Sequence, residues 1–174
     1  MGKGRNLIGP ANLVWVLVAG VGAVLFVAAV VSLGVRLGMR SGLEAAAILA
    51  LPVSVVLGMV LWTQVLGVVW RLRRAYLRRS GTAVPAAVVD TSYRRLNRIN
   101  GFDQHRVRIE VTFGHPETGV EHLLRKEYVF SEFRRRRATS LQADFPEGAS
   151  MTALVRGRSA AFDLPVRPAW ADIW

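Results

Sequence analysis

Two long stretches without a charged residue dominate the first half of the chain. Leu13 to Val35 gives 23 such residues, and Ala45 to Trp70 gives 26, broken only by Pro52, Ser54, Thr63 and Gln64 among apolar and small side chains. As a helix the first measures about 35 Å at about 1.5 Å per residue, against a hydrocarbon core of about 30 Å. Helix is the economical state for both, because lipid offers no partner to a free backbone group. Small-residue spacings, Ala19-x-x-x-Ala23 and Ser54-x-x-x-Gly58, allow close helix approach. Gln64 is the one amide in either span, suited to a hydrogen bond across the hairpin or to a second copy.

Beyond Trp70 the period changes. Arg71 to Arg79 reads as a basic extension of the second helix, ending near Ser80-Gly81. Val84 to Val89 is short and β-branched, with Pro85 marking an edge or a strand start. A polar stretch with Asn97, Asn100 and Gly101 follows, and then Val107, Ile109, Val111 and Phe113 alternate with Arg106, Arg108, Glu110 and Thr112, the pattern of a half-buried strand. A turn at 114–119 leads to a partner strand over 120–130, whose phase changes near Leu123-Leu124 and suggests a bulge. Ser131 to Ala143 reads as a short helix with Ser131 as its cap, and 145–148 as a turn. Met151 to Val155 and Ala160 to Leu164 add two short strands.

These elements predict seven segments. They are an N-terminal segment 1–12, a first membrane helix 13–35, a loop 36–44, a second helix 45–70, a basic extension 71–79, a β-rich domain 80–165 and a tail 166–174. The fold class is a two-helix membrane hairpin plus a small α+β domain, mainly an antiparallel sheet or partly open barrel.

Charge sharpens this division. Of 174 residues 52% are apolar, yet the net charge is +11, from 23 Lys and Arg against 12 Asp and Glu. Only four basic residues and one acid lie in 1–70. A single uniform core and a disordered polyelectrolyte are both excluded. Lys3 and Arg5 precede the first span; Arg71, Arg73, Arg74, Arg78 and Arg79 follow the second; Arg36 and Arg40 lie between. Seven basic residues against two place both termini and the β-rich domain on the cytosolic side, with Trp15 and Trp70 at one membrane interface. Arginine outnumbers lysine 21 to 2 in a chain rich in Ala, Gly and Val, which points to a GC-rich bacterial genome and its cytoplasmic membrane.

The order Gly81, Val84-Pro-Ala-Ala-Val-Val89, the strand to Phe113 with its hairpin partner, and Phe145-Pro-Glu-Gly148 before Met151-Thr-Ala-Leu-Val155 resembles the bacterial family called domain of unknown function 3592. The resemblance covers residues 80–165. It implies a small domain beside membrane helices, with no established activity and no catalytic residues to carry over. Where that family has a Tyr-Asp-Pro-like turn, this chain has Val155-Arg156-Gly157-Arg158.

Chemistry is sparse. Cysteine is absent, which removes disulfides and thiolate sites. His115, Glu117, Glu121 and His122 could converge across a hairpin on a divalent metal, but the polar turn is the simpler reading; Asp103 and His105 form a second such pair. No phosphate loop or nucleophile motif is present, so the expectation is a protein that is not an enzyme, with no cofactor and no metal. Arg134, Arg135, Arg136 and Arg137 are the most conspicuous run. With Arg71, Arg73, Arg74, Arg78 and Arg79 they suit anionic lipid headgroups, each contributing about 1 kcal/mol near the surface. Nucleic acid fits less well, since four successive helical residues point in all directions and the neighbouring Phe130 and Phe133 read as core. Trp170 and Trp174 would share one face of a helical turn. The leading reading is a membrane-anchored interaction or assembly module with an unidentified protein partner or self-association; the alternative is an Arg-rich module for anionic lipid or, less favoured, nucleic acid.

Overall fold

A computed structural model describes residues 10–99 and 102–174. The chain divides into two compact units: residues 13–72, and residues 73–174 together with the segment that ends at Asn12. In the first, helix α1 (Pro10–Arg40) and helix α2 (Glu44–Ser80) are each long and apolar enough to cross a membrane. Few of their residues are buried, and Leu25, Met39, Ile48 and Val56 are among the exposed apolar side chains. The connection is shorter than the predicted 36–44. Helical bonds run on to Arg40, and Gly42 reverses the chain at φ +70°, a conformation that glycine adopts without strain.

The hairpin is held by small residues. An added Cβ on Gly34 would overlap the Ser54 hydroxyl, and one on Gly38 would overlap the Ala50 methyl. Gly22 meets Val65, and Gly58 meets Val27. Ser54 and Gly58 thus lie in the contact as their spacing suggests, Ser54 opposite Gly34 and Gly58 opposite Val27, while Gly38, not singled out from sequence, faces Ala50. The same register sets Trp15 level with Trp70, both half-buried. Gln64 is exposed on the hairpin surface rather than turned across it. Gly34→Leu should force the helices apart, at about 1–3 kcal/mol for overpacking, and lower the thermal midpoint in detergent. Gly20→Leu, with nothing within 4 Å of its added Cβ, should leave that midpoint unchanged.

In the second unit five antiparallel strands run in the order β3-β2-β1-β4-β5 and curl into a nearly closed, barrel-like sheet. They are β1 (Thr82–Ile99), β2 (Phe102–Gly114), β3 (Glu121–Ser131), β4 (Ser150–Arg156) and β5 (Ser159–Phe162). Gly81 alone joins α2 to β1. A Cβ there would stand 2.6 Å from the Leu77 carbonyl oxygen and 2.9 Å from that of Val155, so no other residue fits. The long strand β1 is shared: residues 82–87 pair with β4 and 87–99 with β2, with a register shift between Val88 and Asp90. Pro85 falls where β2 pairing has not yet begun, so its missing N–H costs the ladder little.

Two expectations are corrected. The polar stretch after Val89 is strand almost throughout, because β1 and β2 continue their ladder to Ile99 and Phe102; Asn100 and Gly101 lie outside the described residues. And β3 has no bulge at Leu123-Leu124. Its register with β2 is unbroken from Gly114↔Glu121 to Gln104↔Ser131. The phase only looked broken because a lysine, Lys126, occupies an inward position between Leu124 and Tyr128.

Inward residues of the strands form the core. Val107, Ile109 and Val111 of β2 are fully buried, each contributing about 1.5–3 kcal/mol by leaving water. A 3-10 turn (Glu132–Arg134) leads into α3 (Arg135–Asp144), which sets Ala138 and Leu141 into that core. Ser131 precedes the turn without a side-chain capping bond. Phe130 is core as expected, but Phe133 is not: it is 85% exposed, because the 3-10 turn rotates it off the Ala138–Leu141 face.

Candidate functional site: basic surfaces, histidines and the docked tail

The basic residues after the second helix part company. Arg73 is buried, its Nη2 donating to Asn12 Oδ1 (3.3 Å), Ser159 Oγ (3.0 Å) and the Ala160 carbonyl (3.3 Å). It therefore leaves the set assigned to lipid headgroups: a guanidinium enclosed by polar atoms of its own chain has no face for a ligand. Arg74 and Arg78 converge on Asp163 of the segment after β5, at 3.1 and 2.7 Å. Those two cations, Arg78 foremost through its hydrogen bond, hold the Asp163 carboxyl below its ordinary range. Arg71 and Arg79 are exposed. Arg156 stacks over the ring of Tyr76, 4.7 Å from its centroid.

All of Arg134, Arg135, Arg136 and Arg137 are exposed, and none forms an ion pair among the described residues. Arg135 opens α3, whose first turn holds no acid and whose Ncap makes no side-chain bond. Cations at the positive pole of a helix cost rather than add stability. Phe133 projects beside them.

The outer sheet face carries a different basic set, balanced by acids. Arg108 pairs with Glu110, Arg106 with Glu127 at 3.2 Å, and Arg125 with Glu127 at 2.8 Å. The hydrogen bond from Arg125, more than any other cause, holds the Glu127 carboxyl below its usual range.

The histidines do meet, in part. The rings of His115 and His122 lie edge to face with centroids 5.6 Å apart, both buried. His115 Nδ1 accepts from the Glu117 N–H at 3.2 Å, so Nε2 carries the proton it donates to the Gly157 carbonyl at 2.7 Å. His115 is thereby occupied in tying the β2–β3 turn to the β4–β5 turn. No group of three or more potential ligands converges among the described residues. Asp103 pairs with Arg95 rather than with His105. His105 instead shares a 2.6 Å bond between Nδ1 and Tyr93 Oη, while its buried Nε2 has no hydrogen-bond partner.

The tail is built differently from the expected two-tryptophan face. A 3-10 turn (Trp170–Asp172) leaves Trp170 71% exposed and Trp174 half-buried, and the anchoring side chain is Ile173, 1% exposed. The tail lies along β3. Ala169 N–H donates to the Glu127 carbonyl (2.6 Å), and Glu127 N–H donates to Asp172 Oδ2 (2.7 Å). Beneath it the Lys126 ammonium donates to the carbonyl oxygens of Asp172 (2.7 Å) and Trp174 (2.6 Å). Burial, with a smaller push from Arg73 and an opposing pull from Asp172, lowers the Lys126 pKa to about 8. Sequence reading missed Lys126, Asp172 and Ile173; the one signal was a lysine at an inward position of β3.

Neither a protein-family model, nor a curated protein, nor a solved structure matches this chain.

Proposed function

We propose that this is a non-enzymatic protein of a bacterial cytoplasmic membrane, anchored by α1 and α2, whose β-rich module contacts anionic lipid headgroups through the Phe133–Arg137 corner. The seven basic residues flanking the spans support a cytosolic location for both termini and the module. The observation that carries the lipid contact is the exposed run Arg134–Arg137 beside an aromatic ring that is 85% exposed. Four uncompensated cations at a helix N-terminus are unfavourable in isolation and favourable against anions. An apolar ring standing among them suits the headgroup layer, where aromatic side chains concentrate. A single-stranded nucleic acid groove would call for several stacking aromatics along a basic track, and only Phe133 stands out of this corner. The resemblance to the family of domain of unknown function 3592 is consistent with a small module beside membrane helices, and belongs to the same proposal.

The absence of native cysteine makes a direct test practicable. With Ser131→Cys carrying an environment-sensitive dye, the full chain in nanodiscs containing phosphatidylglycerol should emit further to the blue than in phosphatidylcholine alone. High salt should reverse the shift. Arg134→Gln with Arg137→Gln should lower the docked population about 30-fold, at about 1 kcal/mol for each lost charge. Identical emission in both lipids would defeat the lipid reading, and a shift caused by a single-stranded oligonucleotide would transfer it to nucleic acid.

A further inference from the structure

Strand β3 is one rim of the sheet. A rim strand turns every second backbone N–H and C=O away from its ladder, ready to pair with another chain. At Glu127 both groups face that rim, since both bond the tail. The period of two places the backbone groups of Arg125 and Val129 on the same rim. Among the described residues, bonds from the tail to rim backbone fall at Glu127 alone. The occupant is therefore short. It is also only partly a strand, because a side-chain carboxylate, Asp172, takes the place of the carbonyl that a neighbouring strand would offer.

Ile173 is buried, as is Pro168 just before the turn, while Trp170 stays in solvent. The surroundings are basic. Lys126 lies beneath the tail, and on the outer face beside it Arg106, Arg108 and Arg125 pair with, and outnumber, Glu110 and Glu127.

We propose that the β3 rim is a docking site for a short acidic peptide segment of a partner protein, and that residues 169–173 are its built-in cover. The tail specifies the ligand. It needs a carboxylate for the Glu127 N–H, an aliphatic side chain next to it for the hole that Ile173 fills, and main-chain carbonyls for Lys126. A longer strand would continue onto Arg125 and Val129, where the tail makes no backbone bond. Strand addition of this kind takes its affinity from main-chain bonds and its selectivity from alternate side chains. An attached cover acts at an effective concentration in the millimolar range, so it holds the site closed against a free peptide of micromolar affinity.

The probe is a fluorescent peptide with the sequence Pro-Ala-Trp-Ala-Asp-Ile-Trp of residues 168–174, added to the full chain in nanodiscs. Ile173→Asp should eject the cover, since a carboxylate is costly to bury where Ile173 is 1% exposed. The peptide should then bind the Ile173→Asp chain about 100-fold more tightly than the unaltered chain, and Asn in place of the peptide's Asp should weaken it about tenfold. Equal binding to both chains, or none to Ile173→Asp while its sheet keeps a cooperative thermal transition, would overturn the proposal. A chain shortened after Arg167 guards against misfolding of the single variant. If both variants lose the cooperative transition, the tail is core rather than cover, and the proposal fails by that route.

Discussion

Arg73→Ala should lower the thermal midpoint of the sheet domain by roughly 10–20 °C, at about 3 kcal/mol and about 4–8 °C per kcal/mol for a domain of this size. The side chain is 2% exposed, and its Nη2 reaches Asn12, Ser159 and Ala160. Alanine would remove the donor from the Ala160 carbonyl and leave a cavity where the aliphatic stem was packed. The Ser159–Asn12 hydrogen bond of 3.0 Å survives in principle, so the loss should be local rather than a collapse. Arg73→Met supplies the contrast. It keeps the stem volume, removes the buried charge and loses only the polar contacts, so its cost should be clearly smaller. Differential scanning calorimetry in detergent measures both. If alanine is as mild as methionine, the guanidinium is solvated and the burial argument is wrong.

Stability should rise with pH between about 8 and 10, by an amount on the order of 2–3 kcal/mol, and Lys126 should be responsible. In the folded chain Lys126 releases its proton at about 8, while in the unfolded chain it holds the proton to its ordinary value near 10.4. Across that window the unfolded state binds more protons, so raising the pH favours folding. Above about 10 the trend should reverse. Burial of the Tyr128 hydroxyl pushes its pKa upward; the unfolded phenol ionises while the folded one does not, and the folded state then binds more protons. Denaturant titrations from pH 7 to 11 should therefore show a maximum, and Lys126→Met should abolish the rising limb. A flat profile in the unaltered chain would show that the Lys126 ammonium is solvated beneath the tail.

Much of the architecture is legible in the chain because its signals are local and periodic. The uncharged runs, the alternation from Val107 to Phe113 and the glycine turns each follow from one segment's own sequence. What escaped detection depends on pairing between distant segments. The strand character of residues 90–99 comes from the ladder with β2, which no local propensity announces. The inward Lys126 resembles a bulge until the tail, more than forty residues later, supplies its carbonyl partners. Arg73 and Arg78 look equivalent in a run of arginines. Only the fold turns one inward to Ser159 and the other outward to Asp163, because residues five apart on a helix point in different directions. The Arg134–Arg137 run was visible as such. The exposure of Phe133 beside it was not, since a 3-10 turn before α3 rotates that ring away from the face that periodicity assigned to it.

Gly81 has a mechanical consequence. The last turns of α2 and the first residue of β1 are joined through one residue that has no room for a side chain. Its N–H is tied back to the Leu77 carbonyl at 2.8 Å. Such a joint has no slack. A change in tilt or axial rotation of those final helical turns would pass straight into β1, the strand to which both β2 and β4 are bonded, rather than being absorbed by a tether. The helix end would act as a drive shaft keyed to the middle of the sheet, and force on it would be delivered to the central strand of the five.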